Sequence, residues 1–397
     1  MRALPSGKSV FDALEALFPP MRKQGIAARK VCDPASECIL TNSSSRLRIA
    51  VLFGGRSAEH DVSVLSATNA VRAMDPEKYD VIPVFITREG VWLLSHFEGG
   101  ELTQPASGTE ICPVPGGRGR LLAIPPEGAP FELPAISALF PVLHGLPGED
   151  GAVQGLAEVA LVPLIGCGVL GSATALDKDI AKRLLLQAGL PAARSITIRR
   201  GEAPKFAALS GELGLPLFIK PARQGSSVGV SKVTGEDDYL AALELGFRHD
   251  GKLLAEEFIK GREIECSVLE DAQGTLFVSR PGEIVTGQSH GFYSYEAKYI
   301  DEAGAQLVVP AVLPEAVEAA IRETAGKAFQ ALGCDAMARV DFFVTEDMRF
   351  LVNELNTIPG FTNISMYAKA MAASGIAYPD VIDRLIAHGL TRADRNG

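Results

Sequence analysis

The segment Leu47-Arg48-Ile49-Ala50-Val51-Leu52-Phe53, stopped by Gly54-Gly55, constrains the fold more than any other stretch of the chain. An apolar run of strand length without alternation belongs to a strand buried on both faces, the mark of a parallel sheet covered by helices. A helical pattern follows over 62–74, then a second apolar strand over 81–86. Together they read as a βαβ opening. Residues 98–134, rich in Gly and Pro, read as loop and hairpin excursions before a third strand over 136–143.

Beyond Pro147 a helix is expected over 176–188, stopped by Gly189 with Pro191 after it. Strands over 217–221, 229–233 and 253–259 then flank a Gly/Ser loop and a helix over 236–247. From about Gly261 the strand patterns turn antiparallel in character, at 263–269, 276–278, 337–345 and 349–355, with helices over 314–331 and 378–389. A chain of 397 residues exceeds what one hydrophobic core usually organises. The expected class is therefore α/β and α+β in three domains, 46–145, 146–259 and 260–397. Residues 1–45 mix Pro, Ser, Lys and Arg around a short amphipathic piece and read as a flexible leader, with Met21 a second candidate initiator.

Lys plus Arg number 38 against 48 Asp plus Glu, a formal charge of -10, which argues against a nonspecific nucleic-acid or anionic-membrane surface. An anionic small ligand stays open, since it needs only a few cations and backbone N–H groups in one cleft. The six cysteines are scattered without a CxxC, so they read as reduced thiols of a cytoplasmic protein. The six histidines are equally dispersed, and a zinc centre has no support. No apolar stretch approaches the ~20 residues that span a bilayer, and the N-terminus has no secretory apolar core.

The richest segment runs from Arg339 to Asn356, two apolar-alternating strands around a polar turn. With Asp347-Met348 as a two-residue loop, Thr345 faces Phe350, Asp341 faces Glu354 and Arg339 faces Asn356. Residues two apart share a face of a ribbon, so Asp341, Glu354, Asn356 and Arg339 project together. Two opposed carboxylates repel, and a hard divalent cation such as Mg²⁺ is their natural partner. A solvated face neutralised by Arg339 is the competing reading. The next residues, Thr357-Ile358-Pro359-Gly360-Phe361, form a turn whose backbone N–H groups could approach a ligand oxygen. Lys220 ends a buried strand and precedes Ala222-Arg223-Gln224-Gly225-Ser226-Ser227-Val228-Gly229, small residues and hydroxyls that can wrap phosphate oxygens. The GxxxxGK[ST] spacing is absent. The segment Glu256-Glu257-Phe258-Ile259-Lys260-Gly261-Arg262-Glu263 joins two strands, where edge hydrogen bonds suit a base and a carboxylate suits a ribose; surface charge is equally compatible. Gly54-Gly55-Arg56-Ser57-Ala58-Glu59-His60 lies where a doubly wound fold places ligands, but without GxGxxG.

Eight markers in order over about 47–390 resemble the D-alanine:D-alanine ligase family of the ATP-grasp superfamily: GGRSAEHDVS, FPVLHGLPGEDGAVQG, LDKDIAKRLLLQAGLP, FIKPARQGSSVGVSKV, EEFIKGREIE, FYSYEAKY, ARVDFF and NELNTIPGFTNISMY. The resemblance implies a three-domain ATP-grasp architecture with an N-terminal Rossmann-like parallel-sheet domain and ATP between the other two. It implies that Lys178 and Lys220 contact ATP phosphates, Glu256 and the Phe258-Ile259 backbone the adenine, and Glu263 the ribose. Asp341, Glu354 and Asn356 would bind two Mg²⁺, with Mn²⁺ as a substitute. Glu59 would hold the ammonium of the first D-alanine within a hydrogen-bonded set that includes Ser226 and Tyr299. His144 would lie close to that substrate, and Ser365 and Met366 would receive the second one. Lys298 would touch the transferred phosphate from a mobile loop over about 284–303, and Arg339 with the Gly360 N–H would stabilise the oxyanion. The implied reaction is ATP-dependent joining of two D-alanines through an acyl phosphate for peptidoglycan precursors, by a cytoplasmic homodimer. D-alanine:D-serine ligation is the nearest alternative and a nonenzymatic ATP sensor the alternative from another class. Tyr299 stands where depsipeptide-forming relatives carry His, which disfavours that activity.

Overall fold

A computed structural model describes residues 46–286, 305–362 and 365–396. The opening is β1 (Leu47–Gly54), α1 (His60–Ala73) and β2 (Tyr79–Ile86), with β1 and β2 parallel. Short strands follow: β3 (Trp92–Leu94), β4 (Phe97–Glu98), β5 (Glu101–Leu102), β6 (Glu110–Pro113), β7 (Leu121–Ile124), β8 (Phe131–Leu133) and β9 (Ala138–Pro141). The first sheet has the order β8-β7-β6-β3-β2-β1-β9. Only β2-β1-β9 is parallel; the other four strands extend it antiparallel, with the small β4–β5 pair inserted between β3 and β6 in the chain. The Gly/Pro-rich excursion is thus part of the sheet. Ile49, Val51 and Phe53 of β1 face one core while Ala50 and Leu52 face another, as burial on both sides requires.

Two helices that the sequence pattern did not announce come next, α2 (Ala152–Ala160) and α3 (Val169–Leu176), and then α4 (Lys178–Gln187). The helix expected from 176 instead starts at Lys178, because Asp177 is extended and its side chain accepts from the Ile180 N–H as an N-cap. The second sheet, β10-β13-β11-β12, comprises β10 (Ser195–Arg199), β11 (Leu217–Pro221), β12 (Ser231–Val233) and β13 (Lys252–Glu257), all antiparallel. It packs with α5 (Phe206–Leu213) and α6 (Glu236–His249). The strand expected over 253–259 ends at Glu257, leaving Phe258 and Ile259 in the connection.

The third sheet holds β14 (Arg262–Glu270), β15 (Leu276–Val278), β16 (Gly282–Thr286), β17 (Ala305–Val308), β18 (Met337–Val344) and β19 (Phe350–Asn356). Helix α7 (Glu315–Ala331) covers one side through Ile321, Ala325, Ala328 and Phe329. Helices α8 (Met366–Ala373) and α9 (Tyr378–Asn396) join this sheet to the first one through Tyr367, Met371, Leu385 and Ile386. Among the described residues no helix is long and apolar enough to cross a membrane.

The β18–β19 hairpin corrects one expected pairing. Val344, not Thr345, faces Phe350, because the turn is three residues wide with Met348 in the left-handed region at φ 61°. A bulge between Asp341 and Phe342 absorbs the extra residue and restores Asp341 opposite Glu354 and Arg339 opposite Asn356. The bulge therefore keeps the polar quartet aligned.

Candidate active site

The Arg339 guanidinium donates to both oxygens of Asp341, at 2.7 Å each, and lies 3.0 Å from Glu265 on β14. Although burial works against the charge, Asp341 and Glu265 raise Arg339 well above its ordinary range. Glu354, on the neighbouring strand, lies 3.1 Å from the Lys178 ammonium. That ammonium opens α4 and also donates to the Gln224 carbonyl at 2.8 Å. Burial opposes its proton as well, but Glu354 raises its affinity overall. Lys178 thus joins the hairpin to the Gly/Ser loop.

In that loop Ser226 and Ser227 are left-handed, at φ 49° and 59°, a conformation that costs L-residues energy and is kept where surroundings over-determine it. Ser226 Oγ donates to Glu59, which precedes α1. A Cβ on Gly145 or Gly225 would come within 3.2 Å or 3.1 Å of the Glu59 carboxylate, so two glycines make room for it. Lys220 meets Glu256 Oε1 at 2.6 Å, across the β11–β13 pair. Phe258 is half-exposed, its ring 5.9 Å from Phe218 and under the Lys232 ammonium, and Glu263, the second residue of β14, pairs with Ile284.

His144 is buried with both ring nitrogens used. The Ile358 carbonyl at 3.0 Å can only accept, so Nδ1 carries the proton and Nε2 accepts from Ser66 Oγ at 2.9 Å. Burial holds the imidazole below its ordinary pKa, in keeping with a neutral ring. Ser66 Oγ in turn accepts from the Phe361 N–H, and Tyr378 donates to the Phe361 carbonyl at 2.6 Å. The Pro359-Gly360 turn is therefore held on both sides. The Gly360 N–H donates to nothing among the described residues.

Ser365 Oγ is buried without a hydrogen-bond partner among the described residues, at the N-cap of α8. The Met366 side chain is buried over Gly282, which only a glycine there permits, and its backbone begins α8. Lys298 and Tyr299 lie outside the described residues, as does most of the expected loop, whose first positions belong to β16.

Three groups escaped the sequence reading. Glu149 is buried, accepts from the Gly145 N–H at 2.7 Å, and is pushed up to about 8 by burial and then by Glu59. Glu265 anchors Arg339 from β14. Lys182 approaches Glu256 from α4 at 2.5 Å, and its four-residue spacing from Lys178 was the available signal, since that spacing puts both on one helix face.

As for a metal, no three His, Cys, Asp or Glu side chains converge among the described residues. Asp341, Glu354 and the Asn356 amide still supply hard oxygen donors on one face, a set that fits Mg²⁺ chemically. The Asn356 oxygen accepts from the Ile358 N–H at 3.2 Å.

The family profiles described as D-ala D-ala ligase N-terminus and C-terminus match residues 48–167 and 184–387. D-alanine–D-alanine ligase A of Brucella suis is 65% identical over 350 residues, 88% of this chain and 99% of that protein. D-alanine–D-alanine ligase A of Escherichia coli K12 is 46% identical over 357 residues, 87% of this chain and 96% of that protein. Among solved structures, the D-alanine-D-alanine ligase from Coxiella burnetii aligns with TM-score 0.76 at 35% identity, covering 88% of this chain and 96% of that one. The VanG D-Ala:D-Ser ligase from Enterococcus faecalis aligns with TM-score 0.75 at 35% identity, covering 87% and 100%.

Proposed function

Because the chain belongs to the D-alanine–D-alanine ligase family, we propose that the site described above carries out that family's reaction with the residues named below. The protein is an ATP-dependent, ADP-forming ligase that joins two D-alanine molecules. The observation that carries the residue assignment is Lys178, whose one ammonium touches both the Gly/Ser loop and the carboxylate hairpin.

In this reading Lys178 and Lys220 offset the triphosphate charge, Glu256 with the Phe258-Ile259 backbone takes the adenine, and Glu263 the ribose. Glu59 holds the ammonium of the first D-alanine, steadied by Ser226 and Tyr299, with His144 nearby. Asp341, Glu354 and Asn356 would hold two Mg²⁺, replaceable by Mn²⁺, which would supply charge neutralisation for the transferring phosphoryl group. The first substrate's carboxylate attacks the γ-phosphorus, giving an acyl phosphate and ADP, and the second amine then displaces phosphate. Arg339 and the Gly360 N–H receive the developing oxyanion. Lys298 steadies the transferred phosphoryl group.

The acceptor's carboxylate meets the Ser365 hydroxyl and the Met366 N–H at the N-terminus of α8, where peptide dipoles favour an anion. The dipeptide feeds peptidoglycan precursor synthesis. Division at 46–145, 146–259 and 260–397, one large sheet in each, belongs to the same reading, as do a cytoplasmic location and a homodimer, which rest on the family alone. Positional isotope exchange tests the chemistry: D-alanine alone should scramble the β,γ-bridging oxygen of ATP through a reversible acyl phosphate. Lys178→Met without loss of turnover would sink the assignment.

A further inference from the structure

Lys182 is 3% exposed, with its ammonium 2.5 Å from Glu256 Oε2, while Lys220 holds Glu256 Oε1 at 2.6 Å. It also donates to the Ala193 carbonyl at 3.2 Å. The three charged groups come from α4, β11 and β13, so one carboxylate serves two buried cations. Lys220 and Glu256 alone would already form a neutral pair, and a third buried charge costs desolvation without being needed for that neutrality. Burial indeed pulls the Lys182 ammonium below its ordinary range, against the opposing pull of Glu256. A carboxylate shared with only one lysine, however, would cancel the charge that a phosphate ligand must offer.

We propose that Lys182 is a positioning residue for nucleotide binding: as the second counterion of Glu256 it leaves Lys220 net cationic and able to turn toward the triphosphate. The inference rests on the assignment of Lys220 to phosphate. It says that Lys182 acts only through Glu256, which distinguishes it from a lysine that merely stabilises α4 or attracts ATP at a distance.

The test is a coupling cycle in the full chain. Lys182→Met, Lys182→Arg, Lys220→Met, Glu256→Gln and the Lys182→Met/Glu256→Gln double variant are compared by steady-state kinetics and by calorimetric titration with MgADP. Lys182→Met should raise KM for ATP and weaken MgADP by about tenfold, the size of one charge-assisted contact, with kcat and both D-alanine KM values within about twofold. Lys182→Arg keeps the charge and should restore most of the affinity. In the Glu256→Gln background, Lys182→Met should change MgADP affinity by less than about twofold, since the group it acts through is gone. An equal loss in both backgrounds overturns the proposal, as does an unchanged KM for ATP in Lys182→Met when Lys220→Met raises it. Should Lys182→Met fail to fold, the comparison of Glu256→Gln with the double variant decides alone. If Lys220→Met leaves KM for ATP unchanged, the phosphate assignment itself falls, and the inference with it.

Discussion

Replacing Glu149 by Gln should stabilise the protein, and by an amount that grows as pH rises. The carboxyl is buried beside Glu59 and titrates near 8, whereas a carboxyl in the unfolded chain titrates near 4.5. Between those values the native state binds a proton that the unfolded state has released. Stability therefore falls with rising pH across that window, by at most about 1.4 kcal/mol per unit, and levels off above about 8. Holding the proton from about 4.5 to 7 amounts to an upper limit of about 3 kcal/mol. Glutamine keeps the acceptor for the Gly145 N–H at 2.7 Å and has no proton to lose. Scanning calorimetry of both proteins from pH 5 to 9 measures the effect, and the difference between the two curves isolates Glu149 because other titrating groups are common to both. The difference should be small near pH 5 and reach roughly 5 °C by pH 8, given the usual relation between free energy and melting temperature in large domains. Parallel curves, or a difference that shrinks as pH rises, would refute the buried-acid argument.

Arg339→Lys should lower kcat by about 10²–10³, the scale of one lost oxyanion donor, because a lysine cannot hold Asp341 in two bonds and still present a second face; KM for ATP should move much less. Ser365→Ala should raise KM for the acceptor D-alanine by about tenfold while leaving melting temperature unchanged or slightly higher, since the buried hydroxyl has no hydrogen-bond partner among the described residues. Acidification should also destabilise the fold through His144: its folded pKa is depressed, so its contribution is complete above about 6.5 and is lost as pH falls toward the folded value, by at most about 1.4 kcal/mol per unit. Urea titrations at pH 7 and 5.5 check this, and His144→Gln, which cannot take up a proton, should show a smaller difference between them.

How far the sequence discloses this molecule depends on the range over which each feature is decided. Strands β1, β2 and β11 are local patterns, and they stand where the apolar runs put them. The hairpin quartet was legible because two-residue alternation fixes faces, yet the turn was not. Nothing in Glu346-Asp347-Met348 announces a left-handed methionine, and the compensating bulge is a property of the pair of strands. Lys182 and Glu149 stayed hidden for a different reason. Each lies in a recognised motif, but its meaning comes from a carboxylate, Glu256 or Glu59, that only the tertiary fold brings beside it. Met366 shows the same limit from another side: its side chain packs over Gly282, a contact that only the tertiary fold reveals.

The same long-range contacts explain why the two reacting ends of the site need not be assembled separately. The Glu59 N–H donates to Ser57 Oγ at 3.1 Å, and Ser57 Oγ donates to the His144 carbonyl at 2.6 Å. From the other side of that residue, Nδ1 donates to the Ile358 carbonyl two positions before Gly360. A single hydrogen-bonded chain thus runs from the backbone of the proposed ammonium holder to the turn that presents the proposed oxyanion donor. Ser66 and Tyr378 fix the far side of the turn at Phe361, whose ring is wedged 6.0 Å from Phe140 and 5.9 Å from Tyr367. An oxyanion donor is effective to the extent that it needs no reorganisation when charge develops. Here that rigidity is supplied by α1, β9 and α9 rather than by the turn itself. The proposed ammonium holder and the proposed oxyanion donor are linked through the same histidine, which gives a buried imidazole, held below its ordinary pKa, a place in a site otherwise built from charges.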